Sequence, residues 1–335
     1  MVKLISRGSV FIIVGMLILH GLAYVARTVA PDGTSYFLRI DQQQFEDVLD
    51  HRDEVEALVV GSSHGDDIDV STLPQQAYQL SRAWGDFFEA DYYLKYLVPR
   101  LSALHTVYLP VSYFSFYWDN AAAEKLSVRR AQMYSVVPNW WFIEGDMAQF
   151  VRGRGAQIFP VQSILREDNW QGVFYALTNG DDELEPPVGF EDICDYPPPD
   201  ELAEIAESRA LEAINIGQEI RANYSDIRTD AYRAAAEITR YLQARDIRVV
   251  FFTPPYYAEF TAEYLRNDPD ALELLQTNML RLQEEFGVEY YDFSADQAYI
   301  EDHQLFMDSD HLNSCGRRLF TKQLDERMKR AVAGR

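Results

Sequence analysis

Three times along the chain a helical pattern of apolar residues runs into a short apolar segment rich in β-branched and aromatic side chains, and this alternation limits the possible folds most. "FFEADYYLKYLVPRL" (Phe87 to Leu101) precedes "HTVYLPVSYF" (His105 to Phe114). "TDAYRAAAEITRYLQARD" leads into "IRVVFFTPP" (Ile247 to Pro255), where paired prolines stop the strand. "ALELLQTNMLRLQEEFG", with Gly287 placed as a helix C-cap, leads into "VEYYDFS". Another short apolar run, Ala57 to Val60, comes earlier, and "SCGRRLFTKQLDERMKRAVAG" makes a last helix. Strands alternating with helices predict an α/β fold, a mainly parallel sheet covered on both faces as a three-layer α/β/α sandwich. That domain should occupy residues 54–330. The rhythm fails at about 118–200, where "NWWF", several glycines, "GDDELEPP" and "DYPPPDE" predict an irregular insertion.

The amino terminus is of another kind. Ser9 to Ala26 is nearly all apolar and uncharged, about long enough to span a bilayer, and Lys3 and Arg7 precede it. The expected layout is a cytoplasmic terminus (1–8), a transmembrane anchor (9–27), a stalk or edge segment (28–53) and a domain outside the cytoplasm, periplasmic or extracytoplasmic. A cleaved signal peptide is the rival, but the run is long for a signal core and Thr28-Val29-Ala30 is followed by Pro31. His20 lies inside the run without a polar neighbour that would give it work. A formal net charge of -23 argues against nucleic acid and anionic membrane surfaces as partners. Two cysteines, Cys194 and Cys315, would lie where a disulfide is permitted, although sequence does not show that they meet. No Cys/His spacing suggests zinc, and no metal or cofactor is expected.

Chemistry is concentrated at the two ends of the α/β region. "VEALVVGSSHGDDIDV" delivers two serines directly after a buried strand, and "FMDSDHLNSCG" places Asp308 three residues before His311 at the start of the last helix, where Ser314 or Asn313 can act as cap. Each stretch alone is explained by a polar turn, a cap or a surface ion pair. Together they put a serine, an aspartate and a histidine at the carboxyl edge of one parallel sheet, where open α/β folds bind ligands.

On these residues the chain resembles the SGNH (GDSL-type) hydrolases, whose fold is flavodoxin-like. Gly61-Ser62-Ser63 aligns with the family's GDS block and Asp308 with His311 aligns with its DxxH block. The resemblance implies Ser63 as nucleophile, His311 as base and Asp308 as its orienting acid, with Asp310 outside the triad. For the oxyanion hole it implies the backbone of Ser63, Gly85 from "SRAWGDFF", and Ser112 where the family has an asparagine. The anchor, the GSS-type block and Thr253-Pro254-Pro255 are similar to envelope members that assist teichoic-acid D-alanylation or exopolysaccharide O-acetylation. What this implies is a serine esterase or O-acyltransferase working through an acyl-enzyme on an acylated envelope glycan or lipid-linked substrate, with a polytopic membrane acyltransferase as a candidate partner. The opposed expectation, favoured by the absent asparagine, is a non-catalytic scaffold that binds a polymer.

Other residues carry weaker signals. His64 could tune its neighbour Ser63, but reads more simply as a polar turn residue; Asp66, Asp67 and Asp69 lack Ca-loop spacing and read as a solvated turn. Trp140 and Trp141 suit either a sugar platform or an anchor for the insertion, and Asp302 and His303 receive no role. No GxGxxG or GxxxxGK[ST] follows any strand, so nucleotide binding is not expected.

Overall fold

The computed structural model describes residues 36–123, 126, 194–300 and 302–333. The chain divides into two compact units, Met1–Ile40 with Gly145–Gly189, and Asp41–Glu144 with Phe190–Arg335. Apart from residues 36–40, every element below belongs to the second unit.

Helix α1 (Tyr36–Asp50) is followed by β1 (Ala57–Ser62), β2 (Ala77–Arg82), α2 (Phe87–Leu97) and β3 (Thr106–Pro110). After residue 193 come α3 (Pro199–Asn223), α4 (Ile227–Gln243), β4 (Arg248–Thr253), α5 (Ala258–Asn267), α6 (Asp270–Phe286), β5 (Glu289–Asp292), the short α7 (Gln297–Ile300) and α8 (Ser314–Ala333). The five strands form one sheet in the order β2-β1-β3-β4-β5, with every neighbouring pair parallel. The fold is therefore α/β, a parallel sheet flanked by helices. Chain direction along the sheet reverses at β1, from which the next strand lies to one side and all later strands to the other. This reversal makes the carboxyl end of β1 the crevice where such sheets bind ligands.

Burial follows the patterns in the sequence. Ala57 to Val60 of β1 are fully buried, as a central parallel strand requires. On α4, Ala231, Ala235, Ile238 and Leu242 recur at helical spacing and are all buried; Ala271, Leu275, Met279 and Leu282 do the same on α6. Phe320 of α8 meets the rings of Phe252 and Phe293.

Three features depart from the expectation. Residues 36–50 of the supposed stalk form α1, which buries Phe45 and Val48 and sends Asp41 to Arg82 at 3.1 Å. Arg82 is buried at the end of β2 and also faces Glu89 at 3.6 Å, so α1 supplies part of the counter-charge for an interior cation. Strand β2, "AYQLSR", escapes sequence reading because as an edge strand it mixes polar with apolar residues. Helix α3 begins where the insertion was expected to end, packs on α5, and buries small residues, Ala206, Ala210 and Ala213 among them. The anchor Ser9–Ala26, His20, Trp140 and Trp141 lie outside the described residues; within those residues no helix is long and apolar enough to cross a membrane.

Gly287 ends α6 in the left-handed region, φ 64°, and its N–H donates to the Gln283 carbonyl at 2.8 Å. A methyl group there would meet nothing within 4 Å, so replacing it tests backbone conformation alone. Gly287→Ala should lower the unfolding free energy by about 1 kcal/mol, read as a shifted urea midpoint with unchanged slope.

Candidate active site

Strand β1 ends at Ser62, and the chain turns at once into a 3-10 segment, Ser63–Asp67. The turn separates the two serines. Ser62 is 4% exposed, whereas Ser63 is half-buried and reaches the surface. The Ser63 hydroxyl lies 2.8 Å from His311 Nε2, and His311 Nδ1 lies 3.0 Å from Asp308 Oδ1 and 3.1 Å from its Oδ2. Serine, histidine and aspartate are thus in series at the carboxyl edge of β1.

The DxxH spacing has a local cause. Asp308 Oδ1 accepts the backbone N–H of Asp310 at 3.0 Å and that of His311 at 2.9 Å, folding the loop onto its own side chain. Phe306 and Leu312 close the loop as an antiparallel bridge. Asn313, not Ser314, caps α8: its Oδ1 accepts from the N–H of Cys315 and of Gly316, while its Nδ2 donates to the carbonyls of Gln304 and Asp195. Beside the cap, Cys315 is disulfide-bonded to Cys194, with Cα atoms 5.2 Å apart across 121 residues. The two halves of the site are joined by Asp67, whose Oδ1 accepts the Leu312 N–H at 2.8 Å.

Several residues lie elsewhere than the simplest sequence reading puts them. His64 is 2% exposed, and Asp67 is fully buried rather than solvated. Asp66 accepts from Gln79, Asp69 caps the next turn through Ser71, and Asp67 serves Leu312, so the three acids do not form a joint site. Asp302 caps its own turn at Gln304, and the His303 ring meets Tyr196. Sequence reading gave no sign of Arg209, which reaches from α3 to Asp308 Oδ2 at 2.7 Å and to Asp310 Oδ1 at 3.5 Å. Nor did it find Trp84, which stands half-buried beside Gly85 with φ 62°, a strained conformation for a bulky residue, stacked on Trp118 at 5.2 Å.

The expected oxyanion donors are differently engaged. The Gly85 N–H donates to the Arg82 carbonyl at 3.0 Å. What this position visibly requires is the absence of a side chain, because a Cβ would stand 2.3 Å from the Gly61 carbonyl oxygen. Ser112 is 1% exposed, and its hydroxyl pairs with His64 Nδ1. His64 Nε2 faces the Asp310 carboxylate at 3.5 Å, and a ring nitrogen opposite a carboxylate is the one that carries the proton. Nδ1 is then an acceptor, and the single Ser112 proton goes to it rather than to a substrate.

The electrostatics match this wiring. Burial would lower the His311 pKa, but Asp308 first, then Asp310 and Asp67, outweigh it and hold the ring at about 10. Burial leaves His64 below its ordinary value, against the pull of Asp310. Burial raises Asp67 to about 7, opposed by His311 and Arg317. Burial also pushes Asp310 up, yet His311, His64 and Arg209 together draw it well below the usual carboxylate range.

No family model and no curated protein matches the chain. What the site can do is therefore argued from its own groups. His64, Asp310 and His311 each place a potential ligand atom within 4.8 Å of the others. Both nitrogens of His311, however, already face partners, Ser63 on one side and Asp308 on the other, an arrangement that suits proton transfer better than an ion.

A raised histidine pKa stabilises the fold below the unfolded value of 6.5, and that contribution is lost as pH rises through the folded value of about 10. The stability difference between the wild-type chain and His311→Gln should therefore be largest at about pH 6, below the unfolded value, and shrink steadily from there towards pH 10 in urea titrations. A difference that is constant with pH would show that the ring is not held in its charged form.

Proposed function

We propose that the chain is a serine esterase or O-acyltransferase of SGNH type, anchored in a membrane by Ser9–Ala26 with its α/β domain on the extracytoplasmic side. The observation that carries the reading is the Ser63–His311 contact of 2.8 Å continued to Asp308 at 3.0 Å, at the strand-order reversal. Strand order and flanking helices also suit the three-layer α/β/α sandwich of that family. The half-buried Trp84 stacks on Trp118 and meets Phe114, whose ring lies beside that of His64, an aromatic group that favours a glycan as substrate.

In this mechanism His311 acts in its neutral form, a small fraction at neutral pH that grows as pH rises towards its pKa of about 10. Its Nε2 takes the Ser63 proton as the Ser63 oxygen attacks an ester carbonyl, and Asp308 holds Nδ1–H and balances the imidazolium, so turnover should rise with pH. The tetrahedral intermediate collapses, His311 returns the proton to the departing alkoxide, and an acyl-enzyme is left. Water as the second nucleophile gives an esterase, and a sugar hydroxyl gives a transferase. Of the three donors expected at the oxyanion, the Ser63 N–H is left to act without Gly85 or Ser112. Since each such donor is worth roughly 2.7 to 4 kcal/mol, the reaction should be slow rather than absent.

That same shortage favours a second reading, a non-catalytic scaffold serving a polytopic membrane acyltransferase. The two separate in one experiment on the full-length chain with p-nitrophenyl acetate. Ser63→Ala should abolish turnover and the acyl adduct seen by mass spectrometry, and His311→Gln should cost about 10³-fold or more in kcat. If Ser63→Ala hydrolyses the ester as fast as the parent, the enzyme reading falls and the scaffold stands.

A further inference from the structure

Asp310 stands between the two histidines, and the mechanism above uses neither Asp310 nor His64. Asp310 Oδ1 lies 3.7 Å from His311 Nδ1 and 3.5 Å from Arg209 Nε, and accepts the Ser309 hydroxyl at 3.4 Å. Asp310 Oδ2 lies 3.5 Å from His64 Nε2. His64 is in turn held by Ser112 and packed among the rings of His311 at 5.1 Å, Tyr256 at 5.3 Å and Phe114 at 5.8 Å. The result is a continuous chain, Ser112 to His64 to Asp310 to His311, with all four members buried. An ionised carboxylate in such a place is costly unless partners surround it, and Asp310 has three: His311, His64 and Arg209.

His311 Nδ1 therefore has two carboxylates in reach. Asp308 is nearer, but it divides its oxygens among two backbone N–H groups, the ring and Arg209. Asp310 needs a shift of about 0.8 Å to come from 3.7 Å to a hydrogen-bond length of roughly 2.9 Å. We infer that Asp310 is a second orienting carboxylate for His311, held in place by His64 and Arg209, and that it shares with Asp308 the task of fixing the ring's tautomer and balancing its charge. Asp310 and His64 are then positioning residues that act on the ester through His311. The charged groups around His311 are Asp308 and Asp310 from its own loop, Asp66 and Asp67 from the turn after β1, and Arg209 of α3, which pairs with Asp308 and Asp310, with His64 beside the ring and Arg317 of α8 acting on Asp66 and Asp67. This inference rests on the Ser63–His311 reading.

Kinetics of the full-length chain with p-nitrophenyl acetate and a ring titration test it together. A lone orienting aspartate is worth about 10⁴ in kcat. With two, Asp308→Asn should cost less than about 10²-fold, Asp310→Asn only a few-fold, and the double variant about 10⁴-fold, more than the product of the single losses. Asp310→Asn should also move the acidic limb of the kcat/KM profile to lower pH, and Asp310→Glu should restore it, a response that a merely structural role would not give. Nitrogen NMR of the His311 ring in a Ser63→Ala background should show the same downward shift in pKa on adding Asp310→Asn, with Nδ1 still protonated. A double variant no worse than Asp308→Asn, or a ring titration unmoved by Asp310→Asn, overturns the inference. If Ser63→Ala proves as active as the parent, the esterase reading fails and the ring titration alone decides the role of Asp310.

Discussion

A single hydrogen bond, from the Leu312 N–H to the buried carboxylate of Asp67, is the join on which the site depends. It ties the turn after β1 to the loop before α8 across 245 positions, and the Ser63–His311 contact forms around it. The His64–Asp310 contact crosses at the same place, and Arg209 reaches the loop from α3. The Asp308 carboxylate folds the DxxH loop on itself, Asn313 at its far end caps α8, and the Cys194–Cys315 bond ties the start of that helix to the segment before α3. The join has an energetic cost, since burial lifts Asp67 to about 7 and one of its oxygens has no hydrogen-bond partner.

Charge is the second theme of the molecule. A chain with a formal net charge of -23 places four acids, Asp66, Asp67, Asp308 and Asp310, near one histidine pair and sends Arg209 and Arg317 to meet them. The same device recurs at the end of the neighbouring strand β2, where Asp41 and Glu89 surround Arg82, in register with Ser62. In both places acidic groups hold an interior cation, and in both an element distant in sequence brings part of the partnership: α1 for Arg82, α3 for Asp308 and Asp310. Helices that read as spacers in the sequence thus complete the electrostatics of the edge.

Legibility followed period and length. The helix at Phe87, the helix-strand pair at Ile227 to Thr253 and the C-cap at Gly287 were readable because their patterns extend over many residues or rest on one steric rule. Strand β2 was not, because this edge strand mixes Gln79, Ser81 and Arg82 with its apolar residues and has no continuous apolar run. Helix α3 was masked by the acidic, proline-rich approach "DYPPPDE". Within the site, the GSSH and DSDH blocks marked Ser63, Asp308 and His311, but nothing in either block said that Ser112 gives its proton to His64 or that the Gly85 N–H is turned to Arg82.

By itself the sequence determined the alternation of elements, the parallel sheet it implies and the strand end that carries Ser63, since these follow from local periodicity and from the rule that parallel strands need crossovers. Only the tertiary structure decided which polar groups meet. The pairing of His64 with Asp310, the reach of Arg209 and the burial of Asp67 depend on distances between segments that are 99 residues or more apart in the chain. The physical reason is range: propensity and periodicity act over a few residues, whereas desolvation and charge act through space and take their values once the chain has closed.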